Sequence, residues 1–277
     1  MGIYHSIRAA LKNSPAYSLV RKKRAANARR ALAIANIYPD SRDKIIEDYL
    51  FSIERDFRDV MQIVNIEECV RHVVSKSIGG AFVETGVFTG GASAYALRCL
   101  LRNEPLTVRK YWGFDSFQGM PQPTEIDGEY AVKWMYGKST SEIDRTKISG
   151  KLEPSRLNLS DYEKTRKYLL STGYAPHLLN LVKGWFQHTL PTAKAEIGPI
   201  AILRLDGDYY ESTKVVLEEL YDQVVVGGIV IIYDYGIFEG CKKAVDGFLA
   251  EKAVDPFIHY VENSIRFFVK PAPAIAG

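Results

Sequence analysis

Two aspartates separated by one glycine, Asp206-Gly207-Asp208, stand just beyond the short apolar run Ile200-Ala201-Ile202-Leu203. That run is rich in β-branched residues and reads as a buried strand. Ser212-Thr213 then opens an amphipathic helix with Val215, Val216, Leu217 and Leu220 on one side. In an open parallel sheet, ligands bind just beyond the carboxyl ends of the strands. Carboxylates there are costly to bury without partners, so the spacing points to a metal ligand or a proton acceptor. The bland alternative for Asp206 is a turn or helix cap, a position aspartate favours.

Four further strand ends carry chemistry. Ala81-Phe82-Val83-Glu84 follows Gly79-Gly80 and runs into Thr85-Gly86-Val87-Phe88-Thr89-Gly90-Gly91-Ala92-Ser93, then a helix through Leu101. A strand, a glycine turn and a helix start make a seat for an anion or nucleotide, because glycine lets backbone approach closely. The spacing is neither the dinucleotide fingerprint nor a P-loop, which disfavours a dehydrogenase; a tight turn with glycines for packing is the alternative. The second strand, Lys110 to Phe114, ends in Asp115-Ser116, where an acid would accept hydrogen bonds from a ribose diol. The third, Leu179 to Lys183, delivers Gly184-Trp185-Phe186, aromatic groups that flank an adenine or pack the loop. Past the central strand, Gly227-Gly228 turns into Ile229-Val230-Ile231-Ile232, which ends in Tyr233-Asp234. Tyr233 and His188 are lesser candidates for contact with an acceptor.

These residues need a scaffold. Strands alternating with helices argue an α/β fold on a mostly parallel sheet. Tyr38 to Ser77 reads as helix, with Val60 to Val64 and Ile66 to Val74 separated at Asn65. Pro121 to Gly150 is polar and reads as a long loop over the site, a lid. Ser160 to Leu170 is helical with Asp161 in its first turn, and Gly240 to Glu251 is another helix. Phe257 to Val261 and Ile265 to Val269 make a closing hairpin around Glu262-Asn263-Ser264.

The 277 residues suit one α/β domain at 38–277 plus an arm at 1–37. The net charge is only +3, yet the arm holds Arg8, Lys12, Arg21, Lys22, Lys23, Arg24, Arg29 and Arg30 and no acid. Such a helix would meet a membrane surface, nucleic acid or an acidic partner. The preferred reading is a solvated helix across a subunit interface, hence a homo-oligomer without nucleic acid. Cys69, Cys99 and Cys241 form no CxxC pair and read as reduced thiols of a cytoplasmic protein. Val224 to Ile232, the longest apolar run, is too short to span a bilayer, and no secretory pattern is expected.

Taken together, Val83-Glu84-Thr85-Gly86-Val87, Phe114-Asp115-Ser116-Phe117, Gly184-Trp185-Phe186 with Thr189-Leu190-Pro191, Leu203-Arg204-Leu205-Asp206-Gly207-Asp208 with Tyr210-Glu211-Ser212-Thr213, and Asp234-Tyr235-Gly236 resemble the macrocin O-methyltransferase family. The resemblance runs from about residue 60 to 270 and includes the closing hairpin of class I methyltransferases. It implies a Rossmann-like fold and magnesium-assisted methyl transfer from S-adenosylmethionine to sugar hydroxyls of natural products. By matching position, Glu84, Thr85, Gly86, Gly90, Gly91, Asp115, Ser116, Gly184, Trp185, Phe186 and Asp206 would line the cofactor site. Asp206 and Asp234 would hold the metal, and Asp208 would be the general base. The family's paired aspartates are Tyr233-Asp234 here, so one carboxylate is missing. A metal-independent methyltransferase and a cofactor-binding scaffold are the alternatives this departure keeps open.

Overall fold

The computed structural model describes residues 60–273. The expected arm at 1–37 and the helical stretch from Tyr38 up to residue 59 lie outside the described residues. Five strands run parallel: β1 (Ala81–Thr85), β2 (Tyr111–Asp115), β3 (Leu179–Lys183), β4 (Ile200–Leu205) and β5 (Val224–Ile232). An antiparallel hairpin, β6 (His259–Tyr260) and β7 (Arg266–Val269), closes the sheet, whose order is β3-β2-β1-β4-β5-β7-β6. The helices are α1 (Val60–Ser75), α2 (Gly91–Asn103), α3 (Gly128–Tyr136), α4 (Tyr162–Leu170), α5 (Phe186–Ile197), α6 (Tyr210–Leu220) and α7 (Glu239–Glu251).

The first three strands step outward from β1 and the next two step away on its other side. The reversal between β1 and β4 is the switch point at which an open α/β sheet opens a crevice. All residues of β1, β2 and β4 are buried, because both sheet faces are covered; such strands read as apolar runs, not alternations. Leu203 and Val230 of the sheet pack with Leu190 of α5, Leu217 of α6 and Val245 of α7 in one hydrophobic core. Cys69, Cys99 and Cys241 are free and buried. No described helix is long and apolar enough to cross a membrane.

Several local expectations are corrected. Asn65 does not break α1, which runs unbroken through it. Gly227-Gly228 lies inside β5, not before it: Val224 pairs with Ile200 but Ile229 pairs with Ile202, so the strand bulges between them. Gly227 takes φ +81°, and a Cβ on Gly228 would sit 3.0 Å from the Ala201 carbonyl oxygen. Asp161 lies before α4, where its carboxylate accepts from the Lys164 N–H at 3.0 Å as an N-cap. The segment 121–150 is no plain loop. It holds α3 and three short 3₁₀ turns, because Ala131 and Val132 find burial and Trp134 and Met135 pack against the core. The hairpin strands are shorter than expected, with paired residues confined to 259–260 and 266–269.

Candidate active site

Backbone hydrogen bonds first tie the strand ends together. The Asp206 N–H donates to Thr85 O at 2.9 Å, and Tyr233 N–H donates to Leu205 O at 2.8 Å. Asp208 sits in the left-handed region at φ 58° and turns its N–H onto Asp234 Oδ2 at 3.1 Å. Asp208 and Asp234 are therefore joined, with Asp206 near enough for its charge to act on Asp234. Burial, then the charges of Asp208 and Asp206, push the Asp234 carboxyl well above the usual carboxylate range. Burial also raises Asp206, against the pull of Arg204.

Arg204 is the cation within this group and is only 2 % exposed. Its Nη2 lies 2.8 Å from Asp206 Oδ2, and its Nη1 donates to Glu84 Oε1. Glu84 is 1 % exposed, and its Oε2 also accepts from Ser93 Oγ at 2.6 Å and Tyr111 OH at 2.7 Å. Glu84 thus has Arg204, Ser93 and Tyr111 as partners. Thr85 is buried beside it, its Oγ1 directed at Arg204 O. The Tyr233 ring covers the guanidinium at 4.7 Å.

The glycine turn after β1 presses on the same backbone. Gly86 has φ +89°, and a Cβ there would lie 1.8 Å from Asp206 O, so no side chain fits. Gly90 also has positive φ, and its open side is filled by Leu169 and Thr165 of α4. Gly91, buried, begins α2. Asp115 is the hub of the next two loops. Its Oδ2 accepts from Phe88 N–H at 2.8 Å and its Oδ1 from Phe117 N–H at 2.7 Å. Phe88 and Phe117 have φ 52° and 53°, so Asp115, like Asp234 with Asp208, accepts from N–H groups of residues in a conformation uncommon for non-glycine. Such strain collects at functional sites. Burial raises the Asp115 carboxyl, although both N–H groups pull it down. Each oxygen keeps a lone pair for a further donor.

Gly184 N–H donates to Asp115 O at 2.9 Å, which brings the β3 loop to β2. Trp185 sits half-buried at the N-cap position of α5. Phe186 reaches Gly207: a Cβ on that glycine would lie 3.4 Å from its ring. Ser116 is occupied by its own turn, donating to Gly119 O at 2.8 Å and accepting from Gln118 N–H at 3.0 Å. His188 is exposed on α5. A cleft of about 810 Å³ flanks the β2 and β3 ends, lined by Thr89, Phe117, Tyr162 and Lys183 among others. Among the described residues, no three His, Cys, Asp or Glu side chains are grouped to hold an ion.

Two residues escaped the sequence reading as individual site members. Arg204 was readable as a cation inside an otherwise apolar strand, two residues before an acid. Asp127 closes a Thr124-to-Asp127 capping box in the segment before α3. Its 1 % exposure and its bond to Tyr210 N–H at 2.6 Å emerge only in three dimensions.

The family described as macrocin-O-methyltransferase matches residues 58–270. The chain belongs to the macrocin O-methyltransferase family. It is accordingly an enzyme of the methyltransferase class, and S-adenosylmethionine is that family's methyl donor. The chain is 38 % identical to demethyldecarbamoylnovobiocin O-methyltransferase of Streptomyces niveus over 69 % of its length and 66 % of that protein's, just under two thirds. It is 30 % identical to 8-demethyl-8-(2,3-dimethoxy-alpha-L-rhamnosyl)-tetracenomycin-C 4'-O-methyltransferase of Streptomyces olivaceus, covering 83 % of this chain and 81 % of that one. The match to mycinamicin III 3''-O-methyltransferase of Micromonospora griseorubida is 31 %, over 72 % and 71 %. The solved structure of the O-methyltransferase NovP superposes with a TM-score of 0.63 at 31 % identity, over 77 % of this chain and 81 % of that one. The macrocin O-methyltransferase assignment agrees with the strand order and closing hairpin found here.

Proposed function

We propose that this chain moves the methyl group of S-adenosylmethionine to a sugar hydroxyl of a glycosylated small molecule, with Asp208 as general base. Three relatives are O-methyltransferases named for demethyldecarbamoylnovobiocin, a rhamnosyl-tetracenomycin and mycinamicin III, and the rhamnosyl acceptor supports the acceptor class. The observation that carries the base is Asp208 itself, half-buried at φ 58° beside Asp234, where the β1, β4 and β5 loops meet.

In this reading Asp115 receives the ribose hydroxyls on its remaining lone pairs. The Gly86 and Gly90-Gly91 turn lets backbone approach the amino-acid end, and Gly184-Trp185-Phe186 borders the adenine. Glu84 acts through Arg204 and the floor of the site. Methyl transfer from a sulfonium is an in-line displacement: the C–S bond breaks as the C–O bond forms. The protein's contribution is orientation and a dry site. A sugar hydroxyl is a weak nucleophile at neutral pH, so its proton must leave to a base within hydrogen-bond reach. Asp208 takes that proton.

The donor set also suits magnesium. Asp234 is buried and Asp206 half-buried, the charge of Asp206 raises the Asp234 carboxyl, and Asp206, Asp208, Asp234 and Glu84 outnumber Arg204. Magnesium keeps several waters and needs few protein oxygens, so Asp206 and Asp234 would hold it without a third carboxylate. When bound, it would lower the pKa of the acceptor hydroxyl.

The test is S-adenosylhomocysteine release with glycosides bearing a free deoxysugar hydroxyl. Asp208→Asn should lower turnover by about 10²–10⁴-fold, the usual worth of a positioned base. Full turnover by that variant would remove Asp208 from the role. Activity that survives exhaustive chelation would remove magnesium and leave the base.

A further inference from the structure

The base reading leaves unexplained a second buried acid that touches the same turn. We infer that Asp127 is a positioning residue of the transfer reaction: it latches the segment over the site to the Asp208–Tyr210 turn and so sets where the base points. The inference rests on the proposed role of Asp208.

The argument begins with α6. This helix starts at Tyr210, two residues after Asp208, and its own N-cap residue, Tyr209, supplies no side-chain hydrogen bond. Orphan N–H groups at a helix start need an acceptor. Asp127 provides one from 83 residues away: its Oδ1 accepts from Tyr210 N–H at 2.6 Å. A carboxylate there also meets the positive end of the helix dipole. Its other oxygen, Oδ2, accepts from Thr124 N–H and Thr124 Oγ1, both at 2.7 Å. One carboxylate thus joins the segment before α3 to the residue two after the base.

The surroundings are shaped for this contact. A Cβ on Gly240, at the start of α7, would stand 2.1 Å from Asp127 Oδ1 and 2.9 Å from Tyr210 N. A Cβ on Gly128 would meet the Glu239 carboxylate at 2.7 Å. Two glycines therefore let the 127–128 corner enter between the starts of α6 and α7. Aromatic rings repeat the connection: Tyr130 of α3 meets Phe238 edge-on at 5.4 Å, and Phe238 meets Tyr209 at 5.7 Å. The turn itself is tight, with Tyr209 N–H on Gly207 O at 2.6 Å. Asp208 is held from one side by Asp234 and from the other, through Tyr210, by Asp127.

The experiment compares Asp127→Ala, Asp127→Asn and Gly240→Ala in the full chain, with steady-state kinetics, S-adenosylhomocysteine affinity and the acid limb of the kcat profile. Asp127→Ala should lower kcat at least tenfold, since small misplacements of reacting groups cost up to about 10²-fold, and should shift the acid limb. Cofactor affinity should stay within about twofold, which also shows the chain folded, because Asp127 bonds Thr124 and Tyr210, neither of them assigned to the cofactor. Gly240→Ala leaves Asp127 intact but displaces its Oδ1 and should reproduce the same loss. Asp127→Asn keeps an acceptor for Tyr210 and should restore most of kcat, while a raised KM records the weakened bond to Thr124. Unchanged kcat and pH profile in Asp127→Ala would overturn the inference, as would a parallel fall in cofactor affinity. So would a Gly240→Ala enzyme that turns over normally. If Asp208→Asn is itself fully active, the base reading fails first and separately.

Discussion

The guanidinium of Arg204 lies against the ring face of Tyr233, 4.7 Å from its centroid, while its two Nη atoms hold Asp206 and Glu84. A buried ion pair is weak evidence of net stabilisation, but removing one partner strands the other's charge. Arg204→Met should therefore destabilise the chain by about 3–5 kcal/mol. Denaturant titration checks this; a loss under about 1 kcal/mol, the surface-pair range, would contradict the burial argument.

Tyr233 also precedes Asp234, where the family resemblance implies a pair of aspartates. Tyr233→Asp should add a carboxylate to Asp206 and Asp234 and tighten magnesium binding by roughly tenfold, since ligand charge count tunes such sites. Calorimetry with magnesium alone measures it. No gain would mean that the β5 end does not face the ion.

Asp115 should matter to cofactor affinity and to pH dependence in separable ways. Asp115→Ala should weaken S-adenosylhomocysteine binding by roughly 1–3 kcal/mol, the range for hydrogen bonds to a charged group. Because burial raises this carboxyl, the folded chain binds its proton more tightly than the unfolded chain does. The stability it contributes is full below the ordinary value near pH 4 and is lost as pH rises through the raised one. Relative to Asp115→Asn, the parent should lose melting temperature as pH climbs from about 4. Parallel curves for the two proteins would rule the effect out.

Gly86→Ala should be among the most damaging single-atom additions. Its Cβ would meet a backbone carbonyl at 1.8 Å, at φ +89°, so no side-chain motion relieves the clash. A loss of roughly 3 kcal/mol, the upper end of ordinary overpacking, is expected, together with weakened cofactor binding. A thermal melt within a degree or two of the parent would show that the turn can open freely.

Much of this arrangement was readable from residue order. β3 falls where the apolar run places it, and the acids of β2, β4 and β5 stand at strand ends as expected. Pattern alone failed where partners distant in sequence decide. Asn65 looked like a breaker but lies within a continuous helix. Gly227-Gly228 looked like a turn because a bulge shows only when β4 is alongside. The partners of Glu84, Arg204 from 120 residues away and Tyr111, were likewise not legible in its local sequence. Asp127 carried a local capping signature, but its tie to Tyr210 belongs to tertiary structure.

The bulge in β5 has a consequence for how this sheet tolerates changes of length. Ile229 to Ile232 are paired on one side with β4 and on the other with β7, so the half of the strand that leads to Asp234 is clamped along both edges. Residues 225–228 lie outside the β4 register. Gly227 and Gly228 are tied to Lys270, so an insertion or deletion at Val225 or Val226 would be absorbed toward Val224, at the end of the sheet far from the crevice. The strand thus contains its own slack, and the reach of Asp234 toward Asp206 is insulated from it.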